Sequence, residues 1–253
     1  MLNKIDFYYF SPTGGTKKAG NILAETMAKE VVYLDLGSRA FCKEAAKEDI
    51  AIIAVPVFSG RVPAVATEKL KTLNGSGKKA VTLAVYGNGI YGDALLELND
   101  LVKEAGYEIA ASATFIAQHS ISPDVGIGRP DEKDAEKIKA FAGEILAKLE
   151  KGMTGEISVP GNRPYKAVSS VPVAPVNLSS CNTCGKCVDI CPTEAIKIEN
   201  EAIVTDAEKC CLCMACVHAC PNGTRILPPP LQEQMDQKLA VFKDVRKEIE
   251  CYI

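Results

Sequence analysis

At 253 residues the chain is long for one domain and comfortable for two, on the rough prior of ~100–200 residues per domain. Its composition, 47% hydrophobic and 24% charged, is that of a globular protein and excludes disordered, collagen-like and coiled-coil architectures. The 29 basic and 32 acidic residues leave a formal charge of -3, which excludes a dense cationic face, so nucleic acid is not an expected partner.

The opening residues, MLNKIDFYYF, carry no charged n-region, apolar h-region or cleavage site, and the expectation is an unexported, cytoplasmic protein. No apolar run approaches the roughly 18 residues of a membrane span. From there to residue 151 short apolar runs alternate with helix-like stretches. Strands are expected at Lys4 to Phe10, Val31 to Leu36, Ile50 to Val57, Lys79 to Tyr86 and Glu108 to Ile116, and helices at Thr16 to Lys29, Ala64 to Leu73, Asp93 to Ala105 and Asp131 to Lys151. Strands this continuously apolar are covered on both faces, so residues 1–151 read as a doubly wound α/β domain on a five-stranded parallel sheet.

The first strand runs into Phe10-Ser11-Pro12-Thr13-Gly14-Gly15-Thr16 at a helix start, where orphan N–H groups and the helix dipole favour an anion. Ser11, Thr13, Gly14, Gly15 and Thr16 form a candidate phosphate cradle. Neither G-x4-G-K-[ST] nor G-x-G-x-x-G is present, so a monophosphate that is held and never transferred fits best. In such a sheet a ligand lies beyond the carboxyl ends of the strands. The loops there are glycine-rich and aromatic: Phe58, Ser59, Gly60 and Arg61 after the third strand, and Tyr86, Gly87, Asn88, Tyr91 and Gly92 after the fourth. They suit close approach to a flat ring. A further loop, Gln118 to Asp124, offers His119 as a proton donor should a small molecule bind.

Residues 152–180 dissolve into Gly, Pro, Val and Ser and read as a linker, stiff or packed along a surface. Residues 181–230 carry an internal repeat: Cys181, Cys184, Cys187 and Cys191 recur 29 positions later as Cys210, Cys213, Cys216 and Cys220. Each half is C-x2-C-x2-C-x3-C-P, the ligand run of bacterial ferredoxins, in which the fourth cysteine serves the other cluster. The metal sets are therefore Cys181, Cys184, Cys187 and Cys220, and Cys210, Cys213, Cys216 and Cys191. Zinc wants two separated C-x2-C pairs, and disulfides want export and an even count, whereas this chain has 11 cysteines. Cys42, Cys211 and Cys251 are left without a role; the offset of 29 selects Cys210 over its neighbour Cys211. Lys186 and His218 lie inside the loops, where a charge or donor can raise a potential. After three prolines, residues 231–253 place Leu231, Met235, Leu239, Phe242, Val245 and Ile249 at helical steps, an amphipathic helix expected to dock on the first domain.

These motifs carry a resemblance. Residues 1–150 resemble flavodoxins through Ser11, Thr13, Gly14 and Thr16, and residues 181–227 look like a bacterial 2[4Fe-4S] ferredoxin; together they resemble flavodoxin–ferredoxin fusion proteins of anaerobic bacteria and archaea. The resemblance implies FMN, with its phosphate on residues 11–16, its ring between the loops at 58–62 and 87–92, and a backbone group of Gly60 at flavin N5. It implies two [4Fe-4S] clusters and redox partner proteins. Residues 1–180 hold 21 acidic and 21 basic side chains, unlike the acidic surface of free flavodoxins, whereas residues 181–230 hold four basic and six acidic ones. The expected function is electron relay between clusters and FMN and on to a partner. The alternatives are an FMN-dependent reductase fed by its own clusters, and a cysteine-rich metal-binding or sensing module. Transfer within one chain or across a homodimer is left open.

Overall fold

The computed structural model describes residues 1–41, 48–153, 155–168 and 172–253; Cys42 lies outside the described residues. The expected strands form as β1 (Leu2–Tyr9), β2 (Ala28–Asp35), β3 (Ile50–Pro56), β4 (Lys79–Tyr86) and β5 (Glu108–Ile116). They are parallel, in the order β2-β1-β3-β4-β5. Helices α1 (Gly15–Met27) and α4 (Glu132–Glu150) cover one face, and α2 (Ala64–Leu70) and α3 (Ala94–Glu104) the other.

Successive residues of a strand point to opposite faces, so each strand feeds two cores. Phe7, Ile52, Leu83 and Phe115 pack with Leu23, Ile138, Phe141 and Ile145, while Tyr8, Ile53 and Val55 pack with Leu70, Leu98 and Val102. A Cβ on Gly20 would lie 2.4 Å from the Phe7 ring, so glycine is what lets α1 lie against β1. The α4 start is closed by a capping box between Asp131 and Asp134.

Two expectations are corrected. The sheet has six strands, because β10 (Glu250–Tyr252) pairs antiparallel with β5. The helix expected over residues 231–253 is α7 (Pro229–Leu239), followed by a 3-10 turn at Ala240–Phe242 and an extended strap. The physical reason is competition for backbone groups. The Asn88 amide donates to the carbonyls of Phe242 (3.1 Å) and Val245 (2.6 Å) and its oxygen accepts from the Lys247 amide (3.2 Å), while β10 saturates the open edge of β5.

The linker is fastened along α3. Ile157 is buried in the second core, the amides of Asn162 and Lys166 bond the Asp93 carboxylate (2.9 and 2.7 Å), and Arg163 holds Asp100. Beyond it the cysteine region is built from two small antiparallel ladders, β6 (Val176–Asn177) with β9 (Arg225–Ile226) and β7 (Ile196–Glu199) with β8 (Ala202–Thr205), and two one-turn helices, α5 (Lys186–Asp189) and α6 (Ala215–His218). The β6 strand extends this unit upstream of Cys181. Among the described residues no helix is long and apolar enough to cross a membrane.

Candidate functional site

The cysteine repeat is also a repeat of backbone conformation. Thr183 and Gly185 take positive φ (53° and 78°), and so do Leu212 and Met214, each 29 residues on (51° and 64°). Such left-handed kinks, each ahead of a one-turn helix, curl a loop around a common centre. A small cavity in the first half is lined by Cys181, Cys184, Cys187 and Cys220 together with Arg225 and Thr224. The other four converge as well: Cys191 and Cys216 share a buried cluster against which Cys210 packs, and the thiols of Cys210 and Cys213 both feel Cys216. Cys220 thus lies with the first three cysteines of the other run, while Cys191 shares its cluster with Cys187 as well as with Cys216 and Cys210.

The donor chemistry fits iron–sulfur clusters. The Thr224 hydroxyl, and then the amides of Asn222, Thr224 and Arg225, draw the Cys220 thiol down to about 7, towards the thiolate that binds iron. Burial pushes the Cys187 thiol up, opposed by Arg225, and burial likewise raises Cys210. Arg225 is 3% exposed and its buried Nε lacks a hydrogen-bond partner, which suits a cavity made for an anionic body. Among the described residues no three His, Cys, Asp or Glu side chains converge on a single ion; Cys181, Cys184, Cys187 and Cys220 line a cavity instead. Asn177 reaches Cys181 Sγ at 3.4 Å. The sequence gives no local signal for Asn177 or Thr224, because both come from outside the cysteine runs.

The loop from Ser11 to Thr16 leads into α1. Gly14, at φ 86°, precedes α1, and the Lys17 amide donates to Ser11 Oγ (2.9 Å), while no side chain caps the helix. A Cβ on Gly15 would meet Ala117 at 3.0 Å, so the loop lies on the end of β5. With the hydroxyls of Thr13 and Thr16 alongside, these donors fit a phosphate. The Lys17 ammonium sits over the rings of Tyr9 and Tyr33, 4.9 and 5.0 Å from their centroids.

The two ring loops touch. Phe58 and Arg61 exchange backbone hydrogen bonds (3.0 Å each) around Ser59 and Gly60, both at positive φ. The Asp93 amide donates to the Gly60 carbonyl (2.9 Å), and a Cβ on Gly92 would lie 2.8 Å from that oxygen. Several side chains are committed elsewhere. Arg61 forks onto Glu97 (2.7 and 2.8 Å) and lies over Tyr165; Asn88 holds the strap; Tyr91 packs on Tyr86 (5.4 Å) and donates to Glu250 (2.7 Å). What these loops offer a flat ring is the backbone of residues 58–60 and 87–92 and the Phe58 ring. His119 packs on Gly87, and its Nδ1 accepts the amides of Ile121 (3.2 Å) and Ser122 (3.1 Å), which leaves the proton on Nε2. Burial lowers its pKa, keeping it neutral.

The two units meet at the carboxyl edge of the sheet. Cys213 and Ala215 are buried in the same core as Phe10, Leu36 and Val62, with Cys211 and Phe58 packed against it. Arg39, after β2, donates to the Cys191 carbonyl (3.4 and 3.3 Å) and to Val188, and His218 Nε2 contacts the Ser120 carbonyl at 3.2 Å. Arg39 and Ser120 carry no motif and were not legible in the sequence. Cys251 lies in β10, opposite Ala113 of β5.

Residues 175–222 match the family described as 4Fe-4S dicluster domain. The aliphatic sulfonate oxidoreductase polyferredoxin-like subunit of Pyrococcus furiosus is 43% identical over 44 residues, 17% of this chain and a quarter of that protein's length. The sheet order β2-β1-β3-β4-β5 is the flavodoxin-like one. The chain joins a flavodoxin-like sheet to a region that matches the 4Fe-4S dicluster family. Solved structures similar to its flavodoxin-like part include oxidised flavodoxin 2 from Bacillus cereus (18% identity, 57% of this chain and 99% of that one, TM-score 0.42). Another is the rubredoxin oxygen:oxidoreductase of Desulfovibrio gigas (17%, 59% and 37%, TM-score 0.44).

Proposed function

We propose that the chain is a flavodoxin–ferredoxin fusion, an electron carrier that relays electrons between FMN and two [4Fe-4S] clusters and on to a redox partner protein. The observation that supports this most is the burial of Cys213 and Ala215 in the flavodoxin-like core, beside Phe58 of a ring loop and at the same sheet edge as the phosphate loop. Flavin exchanges one or two electrons and each cluster exchanges one, so the pair joins two-electron to one-electron chemistry.

Ser11, Thr13, Gly14, Gly15 and Thr16 would bind the phosphate through hydroxyls and helix-start amides. Phe58, Ser59, Gly60, Arg61, Tyr86, Gly87, Asn88, Tyr91 and Gly92 would frame the ring, with Arg61, Asn88 and Tyr91 acting by stiffening the loops. The sets Cys181, Cys184, Cys187, Cys220 and Cys210, Cys213, Cys216, Cys191 would hold the clusters.

The reductase reading would use His119 as proton donor. Its loop, however, is roofed by α7: Gln232 donates to the Ile121 carbonyl (2.9 Å) and Ser122 bonds Asp236. That favours the carrier. The test is anaerobic reconstitution with iron, sulfide and flavin quantified, about eight irons and one flavin per chain being expected. Stepwise reduction should then bleach both chromophores, and His119→Ala should leave cluster-to-flavin transfer unchanged. A protein holding zinc, or clusters without flavin, would end the proposal.

A further inference from the structure

The two halves of the cysteine repeat differ in charge at one position that is buried in both. The backbone correspondence at an offset of 29 holds through both loops and both one-turn helices. Five residues past the fourth cysteine it breaks in chemistry: Ile196 stands in an apolar cluster with Cys191 and Cys216, which Cys187 of the first set also joins, whereas its counterpart is Arg225. Arg225 is buried, and its Nη1 and Nη2 donate to neutral partners, Asn177 Oδ1 and Thr205 Oγ1, at 2.6 Å each. Its Nε has no hydrogen-bond partner, and the cavity it lines is that of Cys181, Cys184, Cys187 and Cys220. A buried cation among neutral partners is costly unless an anion faces it.

We infer that Arg225 makes the two clusters unequal, holding the cluster of Cys181, Cys184, Cys187 and Cys220 at a higher reduction potential than the cluster of Cys191, Cys210, Cys213 and Cys216. The inference rests on the reading that both sets carry [4Fe-4S] clusters. Each cluster takes up one electron on reduction, and its net charge falls by one. A buried cation stabilises the reduced form more than the oxidised one, and charge is one of the protein's levers on potential. The exposed acids Glu199 and Glu201 act in the opposite sense, but solvent and salt screen them over about 8 Å at physiological ionic strength. Ile196 supplies no charge to the other set, and Arg39, which bonds the Cys191 carbonyl, is exposed and screened as those acids are. The first electron entering the pair therefore rests on the outer cluster, whose ligand Cys184 is exposed, and the inner cluster passes electrons at lower potential.

The test is an anaerobic dithionite titration of the full reconstituted chain, followed by electron paramagnetic resonance. Wild type should give two one-electron waves. Arg225→Gln should lower the upper wave by at least tenfold in its reduction equilibrium, 59 mV for one electron, and leave the lower wave nearly in place. Arg225→Lys should restore the separation, a rescue that a merely structural role would not give. Thr205→Asp, which keeps Arg225 and pairs it with a carboxylate, should lower the same wave and carries the test if Arg225→Gln loses iron. Equal shifts of both waves, or no shift with both clusters retained, would overturn the inference alone. A wild-type chain without two clusters would overturn the underlying reading and the inference with it.

Discussion

Asn88 illustrates how a residue can be legible in type and not in role. Its place in a glycine-rich loop after β4 marks it as a loop former, and its φ of 60° bears that out, since Asn tolerates the left-handed region. That its amide holds three backbone groups of a strap more than 150 residues away follows from no local pattern. Asn88→Ala would strand two carbonyls and one amide and place alanine at positive φ. The expected cost is roughly 2–4 kcal/mol from unsatisfied polar groups and backbone strain. Thermal unfolding of the flavodoxin-like part and limited proteolysis within residues 240–250 would measure it, and a variant as resistant as wild type would contradict the assignment. The cysteines are the opposite case: their spacing alone sorts them into two sets, because thiolates around a cube need that spacing whatever the rest of the chain does.

The elements of the flavodoxin-like part were readable because each strand is a continuous apolar run and each helix has one buried stripe, patterns fixed by local covering. The strap was not. Leu231 to Ile249 keep a helical step, but only Leu239 of α7 is buried, and the hydrogen bonds offered by Asn88 and the edge of β5 win over continued helix. Strap and linker are fastened largely through carboxylates. Lys166 and Asn162 amides lower Asp93; Arg163 and Tyr165 lower Asp100 against its burial; Arg246 holds Asp131 well below the carboxylate range; Ser122 and Gln232 lower Asp236, and Lys137 lowers Glu248. A carboxylate with a depressed folded pKa contributes stability that is complete above its unfolded value, near 4, and is lost as pH falls through the folded value. Strap and linker should accordingly stay docked at pH 5 to 8 and loosen progressively as pH falls below about 4. Hydrogen exchange of residues 155–168 and 240–252 across that range checks it; protection unchanged at pH 3 would count against a carboxylate clasp.

For the whole molecule, what the sequence lacked was the way its two units share a core. The cysteine unit has little apolar content of its own: its buried cluster is Cys187, Cys191, Ala195, Ile196 and Cys216, so more than half of it is ligand. Units this small depend on their metal for folding free energy. Iron removal by a chelator under reducing conditions should therefore unfold residues 175–227 and leave the parallel sheet intact, since β1 to β5 contain no cysteine and the core under α1 and α4 is built without one. The effect should not stop at the boundary. Cys213 and Ala215 fill one end of the second core beside Phe58, and Arg39 loses its carbonyl partners when the loop melts. Iron-depleted protein should bind FMN at least several-fold more weakly than the full form, read from flavin fluorescence, while circular dichroism retains the α/β signal. Unchanged flavin affinity after complete iron loss would mean that the cysteine unit only rests on the sheet edge and does not help to shape it.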